Sequence, residues 1–219
     1  LVNRVWLHHF GKGLVRTVGD FGARGEPPTH PDLLDYLARR FVEGGWSIKG
    51  LHRLILLSSA YQQASELDTD QYERDPDNRL VWRRNPRRLE WEEIRDALLF
   101  VAGDVDYETG GRSVDLLSEP FSRRRTVYGF IDRQQFPRLF RIFDMASPEV
   151  TTGQRHETLV PQQAMFLMNS PFVIEQVQKL ARRPEIVQKD NLKDKVQALY
   201  QMVHLRPPDS TELRMGVEY

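Results

Sequence analysis

The sequence predicts a mainly α-helical protein: an irregular helical domain whose helices are joined by long loops. Apolar residues recur at helical spacing in successive segments, and glycines, prolines and capping side chains mark where those segments begin and end. Only one short run, residues 126–131, has the β-branched and aromatic composition of a strand. One strand cannot form a sheet, so we expect at most a minor β-hairpin or extended segment at residues 124–131.

The N-terminal part of the chain predicts three helices. Gly11 ends the first helix, and a loop rich in glycine and proline, residues 11–30, leads to the second. Thr29 is predicted to cap this second helix, residues 31–43, and Ser47 to cap the third after a Gly-Gly break. The apolar stripes are Val2, Trp6 and Phe10 in the first helix; Leu33, Leu34, Leu37 and Phe41 in the second; and Ile48, Leu51, Ile55 and Tyr61 in the third.

A fourth long helix follows two less regular segments. Residues 62–77 are predicted to form a polar loop, and residues 79–84 a short helical stretch that Pro86 interrupts. The helix that follows ends at Gly103, and its apolar stripe consists of Trp91, Ile94, Leu98 and Val101. Its opposite face is expected to be solvated and carries Glu92, Glu93, Arg95 and Asp96.

The rest of the chain alternates loops and helices. Loops are predicted at residues 104–123 and 144–158. Helices are predicted at residues 136–143, at 161–169 with Ala164, Met165 and Met168 on one side, at 171–183 with Phe172, Val173, Val177 and Leu180, and at 192–203. A further helix starts near Ser210.

Residues 1–219 are interpreted as a single helical domain. The alternative is two closely packed subdomains hinged near residues 104–123. No initiator methionine precedes Leu1, and the last helical pattern is cut off at Tyr219. We therefore expect the chain to be a fragment of a longer protein.

Composition excludes several classes of site. The chain contains no cysteine, which excludes disulfides, Cys-ligated metal clusters and a thiol nucleophile. Its 31 Lys and Arg balance 31 Asp and Glu, which excludes a strongly basic nucleic-acid-binding protein. No apolar run approaches the roughly 18 residues of a membrane span, and no phosphate-binding loop, nucleophile elbow or H-E-x-x-H motif occurs. We expect no cofactor and no metal on this segment.

Two loops carry the weak candidates for a functional site. The first holds Asp20, Glu26 and His30, where a carboxylate could orient an imidazole for proton transfer or could simply accept backbone N–H groups. The second is the loop at 144–158, with Asp144, Glu149, Arg155, His156 and Glu157. Two of its acids at a suitable separation would fit glycoside hydrolysis, but acid pairs are also common on surfaces.

Two further groups of charged residues are open to more than one interpretation. The arginine-rich stretch is able to clamp a sulfate, phosphate or carboxylate, or to pair with the acids of a neighbouring domain. It comprises Arg123, Arg124, Arg125, Arg133, Arg138 and Arg141. Asp20, Arg95 and Asp96 are interpreted as a buried polar network that holds loops to helices, in preference to a catalytic group.

Several short motifs, in order along nearly the whole chain, resemble one known family. They include Asn3-Arg4-Val5-Trp6, His9-Phe10-Gly11-Lys12-Gly13, Gly25-Glu26-Pro27-Pro28-Thr29-His30-Pro31, Gly45-Trp46-Ser47, Arg95-Asp96-Ala97-Leu98-Leu99 and Pro161-Gln162-Gln163-Ala164. The chain resembles the C-terminal planctomycete-type domain of unknown function of large exported bacterial proteins. In those proteins a cytochrome-c-like haem domain precedes this domain.

The resemblance implies an extracytoplasmic location, periplasmic or secreted, and neighbouring domains in the same polypeptide. Any haem would belong to a domain outside this segment, and the resemblance supplies no catalytic residues. The leading hypothesis is a noncatalytic helical module that docks against those domains. The alternative is part of an enzyme acting on an anionic or sulfated polysaccharide, so whether the chain is an enzyme stays open.

Overall fold

The computed structural model describes residues 1–218, and its architecture is mainly α, as predicted. Within those residues eleven α-helices and one short 3-10 turn are joined by loops, and isolated bridges occur in place of strands. The helices are α1 Val2–Phe10, α2 Pro31–Glu43, α3 Ile48–Leu56, α4 Thr69–Arg74, α5 Trp91–Ala102, α6 Arg138–Ile142, α7 Pro161–Asn169, α8 Pro171–Ala181, α9 Pro184–Val187, α10 Leu192–His204 and α11 Ser210–Glu218.

The chain folds as two compact units. Unit 1 comprises Leu1–Arg88 with Thr152–Gln154 and contains α1 to α4. Unit 2 comprises Leu89–Thr151 and the chain from Arg155 onward, and contains α5 to α11. The interpretation of residues 1–219 as a single domain, with a hinge near 104–123 as the alternative, stays a prediction.

The core of unit 1 is built from the stripes predicted for α1, α2 and α3. Trp6 and Phe10 stack at 4.0 Å between ring centroids on one side of α1. Gly11 then ends α1 in the left-handed conformation, with φ of 77°, which glycine adopts without steric cost. The buried cluster consists of Val2, Val5, Trp6, Phe10, Leu14, Leu37, Phe41, Leu51 and Ile55.

The long loop after α1 is fixed at both ends by hydrogen bonds. Asn3 is 5% exposed, and its side chain accepts the Val15 N–H at 2.9 Å and donates to the Val15 carbonyl at 3.0 Å. At the far end, the N–H and the hydroxyl of Thr29 both donate to the Leu14 carbonyl, at 2.8 and 3.3 Å. Thr29 therefore closes the loop and does not cap α2 as predicted, and His30 occupies the N-cap position.

Ser47 caps α3 as predicted, by accepting the N–H of Gly50 at 3.1 Å. The buried stripe predicted for α3 is wrong at two positions. Tyr61 lies beyond the helix, which ends at Leu56, and Ile48 is 49% exposed. The short helix α4 interrupts the predicted polar loop, because the Asp68 carboxylate caps it by accepting the N–H of Gln71.

The helical stretch predicted at residues 79–84 is absent from the structure. The Asp75 carboxylate accepts the N–H groups of Arg79 and Leu80, and the Asn78 amide oxygen accepts that of Trp82. Side chains that take backbone N–H groups in this way compete with helix formation. The segment is therefore a side-chain-stabilised turn.

Unit 2 is organised around α5, which packs closely against α8. Helix α5 begins and ends near its predicted limits, and Gly103 ends it with φ of 72°. Its buried stripe differs from the predicted one and consists of Trp91, Arg95, Leu99 and Ala102. Two apolar clusters surround this helix, one with Trp91, Leu116, Phe140 and Phe143, the other with Leu99, Phe172 and Val173.

The strand candidate at residues 126–131 is wrong. Thr126–Tyr128 forms a 3-10 turn, and this region makes only isolated bridges, between Asp106 and Arg124 and between Val114 and Gly129. The Asp96 carboxylate on α5 accepts both the N–H and the hydroxyl of Thr126, each at 2.7 Å. The segment therefore bonds to a helix and, through Val114, to the preceding loop, and it forms no strand.

The C-terminal helices of unit 2 largely match their predicted limits. Helix α7 begins and ends where predicted, and α8 ends at Ala181, two residues early. Val177 is wrongly included in the buried stripe of α8, because it is 52% exposed. Helix α9 was not predicted, and Asp209, not Ser210, accepts N–H groups at the start of α11. No helix within residues 1–218 has the length and hydropathy needed to cross a membrane.

Candidate functional site

The structure places the five weak site candidates in two different units. Asp20 and His30 belong to unit 1, and Asp144, Arg155 and His156 belong to unit 2. Asp20 is exposed, and its backbone carbonyl accepts the Thr17 hydroxyl at 2.9 Å. His30 Nδ1 lies 3.0 Å from the hydroxyl oxygen of its neighbour Thr29. Proton transfer involving Asp20 and His30 stays a prediction.

Asp144 closes the loop between α6 and α7. Its backbone has φ of 57°, and its carboxylate accepts the N–H of Thr158 at 2.7 Å and the Thr158 hydroxyl at 2.9 Å. These bonds join the first and last residues of the predicted loop. His156, inside the same loop, is exposed. In this geometry the Asp144 side chain holds the two ends of the loop together.

Arg155 ties this loop to the start of α5. Its two terminal nitrogens lie 3.0 and 2.8 Å from the carboxylate oxygens of Glu92, and one of them lies 2.9 Å from Glu90. The hydrogen bond to Glu92, with the nearby charges of Glu90 and Glu93, raises the pKa of Arg155, although partial burial opposes the shift. Arg155 is therefore a permanently charged, bidentate partner of Glu92.

Arg155 lines a mixed polar and apolar cavity of unit 2, which we call the α5 cleft. The cleft has a volume of about 540 Å³. Its apolar wall includes Leu116, Ile131, Phe136 and Met145, and its charged wall consists of Glu92, Glu93, Asp96, Arg125 and Arg155. A cavity of this size and mixed lining can hold a small ligand.

The carboxylates of the α5 cleft are engaged by neighbouring groups. Asp96 accepts from Arg125 Nε at 3.0 Å in addition to its two bonds from Thr126. Glu93 accepts the N–H of Glu90 at 2.9 Å, and Glu92 is held by Arg155. Among the described residues that line the cleft there is no histidine. The carboxylates therefore act as acceptors that hold the cleft walls together.

The first three arginines of the arginine-rich stretch are also engaged within unit 2. Arg123 pairs with Asp104 at 2.8 Å, and Arg125 pairs with Asp96 at 3.0 Å. The guanidinium of Arg124 donates to three backbone carbonyls and lies over the Tyr128 ring, 4.2 Å from its centroid. These contacts hold loops and engage each of the three guanidinium groups within unit 2.

Arg95 is the central polar residue of unit 2. It is 1% exposed, and its guanidinium donates to the Arg124 carbonyl at 2.9 Å, to the Thr126 hydroxyl at 3.2 Å and to the Ser122 carbonyl. Burial lowers the pKa of Arg95 to about 10, with the Asp96 charge acting in the opposite direction. Arg95 and Asp96 thus form part of the predicted network and hold residues 122–126 to α5, but the inclusion of Asp20 in it is wrong, because Asp20 is exposed and belongs to unit 1. The solvated position predicted for Arg95 is wrong as well.

Unit 1 contains a histidine pair that connects α1 and α3. His9 Nε2 and His52 Nδ1 lie 2.7 Å apart, and the edge of the His9 ring meets Tyr61 at 5.5 Å between centroids. The pKa of His9 is lowered, mainly because partial burial disfavours its charged form, and also by His52, Arg84 and His8. The sequence gave no signal for a contact between His9 and a residue 43 positions later.

We expect unit 1 to lose stability as the pH falls below about 6.5, the ordinary histidine pKa. The folded protein binds a proton at His9 less readily than the unfolded chain, so protonation favours unfolding in this window and the stability is fully present above it. Urea unfolding at pH 5 and pH 7.5 measures the effect. His9→Gln should reduce the difference between the two pH values. The matched change of its exposed neighbour, His8→Gln, should reduce the difference much less, because the charge of His8 makes the smallest contribution to lowering the pKa of His9. Equal behaviour of the two variants would contradict the assignment.

Helix α7 carries apolar residues on its solvent side. Four of them lie at positions i, i+3, i+4 and i+7, a spacing that usually marks the core face of a helix: Pro161, Ala164, Met165 and Met168. All four are exposed, Met165 by 61% and Met168 by 75%. We call them the α7 stripe. The core-facing position is instead polar, because Gln163 is 2% exposed and its amide donates to two backbone carbonyls, at 2.7 and 3.3 Å.

In the described part of the chain, no group of three or more histidine and acidic residues lies close enough to hold a metal ion. The family model described as "PSD1: Protein of unknown function (DUF1553)" matches residues 1–219. No curated protein and no solved structure matches the chain.

Proposed function

We propose that this chain, which belongs to the PSD1 family of proteins of unknown function, is a noncatalytic helical module. The module docks against other domains of a large exported haem-containing protein. In this proposal the protein is extracytoplasmic, either periplasmic or secreted, and another domain binds the haem. Export and haem are supported by the family resemblance of the sequence. Docking is supported by the α7 stripe.

The α7 stripe has the chemistry of the centre of a protein interface. Helix α7 contains no charged residue, and interface centres are depleted in charge and enriched in methionine. Burial of a methionine side chain contributes about 1.5–3 kcal/mol, so covering Met165 and Met168 would stabilise a complex substantially. The flexible thioether chains also adapt to an irregular partner surface.

The noncatalytic part of the proposal is supported by the α5 cleft. Its carboxylates already accept hydrogen bonds from Arg125, Arg155 or backbone N–H groups. The alternative, an enzyme acting on anionic or sulfated polysaccharide, is not favoured, because Arg123, Arg124 and Arg125 are engaged within their own unit.

Cysteine labelling of the intact polypeptide tests the docking. The chain has no cysteine of its own, so Met168→Cys introduces a single thiol into it at the α7 stripe. We expect this thiol to react with a maleimide at least about tenfold more slowly in the folded polypeptide than the thiol of Val177→Cys on α8, since tenfold corresponds to about 1.4 kcal/mol of protection. Both rates are normalised to those in denaturant and read by mass spectrometry.

Val177→Cys is a matched control, because Val177 is 52% exposed and Met168 is 75% exposed in this chain. Without docking, the thiol at position 168 should react at least as fast as that at 177. Equal or faster labelling at 168 would overturn the proposal. Limited proteolysis that released the other domains, with no remaining association with this segment, would overturn it as well.

A further inference from the structure

Unit 1 contains an open groove between α2 and α3 that the proposed docking through α7 does not use. The α2–α3 groove has a volume of about 500 Å³. Two glycines, Gly44 and Gly50, are among its lining residues. Its apolar lining consists of Phe41, Leu51, Leu54 and Leu57. Leu57 is 63% exposed, so part of this lining faces solvent.

The charges at this groove have one sign. Arg40 on α2 and Arg53 on α3 are its only charged lining residues, and no acid lies among the described residues that line it. Both side chains are exposed, and neither has an ion pair or a side-chain hydrogen bond within the described residues. This distinguishes them from Arg155, Arg125 and Arg123 of unit 2, which are all paired.

Unpaired guanidinium groups beside an apolar groove indicate the chemistry of the partner. Each guanidinium presents a planar fork that matches a carboxylate and binds it through two hydrogen bonds. An apolar groove between two helices accepts the apolar stripe of a third helix, whose side chains recur at i, i+3, i+4 and i+7. A cavity of about 500 Å³ holds several such side chains.

We infer that the α2–α3 groove is a docking site for an acidic amphipathic helix of another protein segment. The apolar side chains of that helix contact Leu54 and Leu57 above a floor formed by the buried Phe41 and Leu51. Glu or Asp residues flanking its stripe pair with Arg40 and Arg53. Charge complementarity sets the orientation, and the apolar contacts supply most of the affinity. Because this surface and the α7 stripe share no residue, the inference does not depend on the proposed function.

Fluorescence anisotropy with two designed peptides tests the inference on the full chain. The first is a labelled peptide of about 15 residues, long enough to form a helix on binding, with leucines at i, i+3, i+4 and i+7 and flanking glutamates. The second carries lysines in place of the glutamates. We expect the glutamate peptide to bind at least tenfold more tightly, and added salt to weaken its binding.

Charge reversal identifies the groove. Arg40→Glu and Arg53→Glu should each weaken binding of the glutamate peptide about tenfold and should improve binding of the lysine peptide. Arg39→Glu is the matched control on α2, because Arg39 is exposed and lies outside the groove lining. All three variants should keep the urea midpoint of the parent chain, which verifies that they fold.

Several outcomes would overturn the inference. Equal binding of the two peptides, no binding of either, or equal effects of Arg39→Glu and Arg53→Glu would each do so. Binding of decanoate in the groove without binding of the peptide would assign it to a small amphiphilic carboxylate. A dimer in sedimentation that Arg53→Glu dissociates would assign it to a second copy of this chain.

Discussion

Arg95→Ala is expected to lower the free energy of unfolding of unit 2 by about 3–5 kcal/mol, the range for removal of one partner from a buried charged network. The guanidinium is 1% exposed and bonds two backbone carbonyls and the Thr126 hydroxyl. Its removal leaves those acceptors buried without donors and opens a cavity beside Phe172, whose ring centroid lies 5.1 Å from the guanidinium carbon. Urea unfolding followed by hydrogen exchange of the amide groups of α5, read by mass spectrometry, measures the loss.

Two comparison variants separate the contributions at Arg95. Arg125→Ala removes a 55% exposed guanidinium paired with Asp96 and should cost only about 0–1 kcal/mol. Arg95→Met keeps most of the packing volume but none of the donors, so its loss of free energy of unfolding should lie between those of Arg95→Ala and Arg125→Ala. A result for Arg95→Ala no larger than that for Arg125→Ala would show that the buried bonds contribute little.

Asn3→Ala is expected to destabilise unit 1 by about 2–3 kcal/mol, because two buried backbone groups lose their partner at once. The Asn3 amide pairs with both the N–H and the carbonyl of Val15, and Asn3 is only 5% exposed. We expect the loop at 11–30 to detach from α1 first, which hydrogen exchange at Val15 would detect.

Asn169→Ala is the control for Asn3→Ala. The exposed Asn169 side chain donates to the Met165 carbonyl at 2.9 Å, and that carbonyl can bond to water instead. A change below about 0.5 kcal/mol is expected for such an exposed position. If Asn3→Ala lowered the free energy of unfolding equally little, the N–H and the carbonyl of Val15 would have to find other hydrogen-bond partners in the variant.

Helices with a clear stripe and a stop signal were predictable from the sequence. Helices α1, α2, α5 and α7 begin and end close to their predicted limits, because glycine and proline act locally. The turn at 79–84 and the 3-10 turn at 126–128 were not predictable in the same way. Their backbone N–H groups bond to side chains of Asp75 and Asp96, and the latter lies 30 residues away.

The contacts of the candidate residues could not be predicted, because their partners lie far away in the sequence. The pairing of Arg155 with Glu92 spans 63 residues, and that of His9 with His52 spans 43. A hydropathy scale treats Arg95 as polar and places it on the surface, yet the carbonyls of residues 122 and 124 accept its hydrogen bonds and offset part of the cost of burying it. Only the folded chain brings these partners together.

The two hydrogen bonds from Thr29 to the Leu14 carbonyl close the intervening segment into a loop whose ends lie together. The apolar core of unit 1 and this closure together hold the helices on either side. The tip around Gly22 has open space beside it, so core packing does not fix its length. Doubling the length of such a loop costs only about 0.6 kcal/mol. The tip is therefore a natural point for inserting a tag or a whole folded domain without separating α1 from α2.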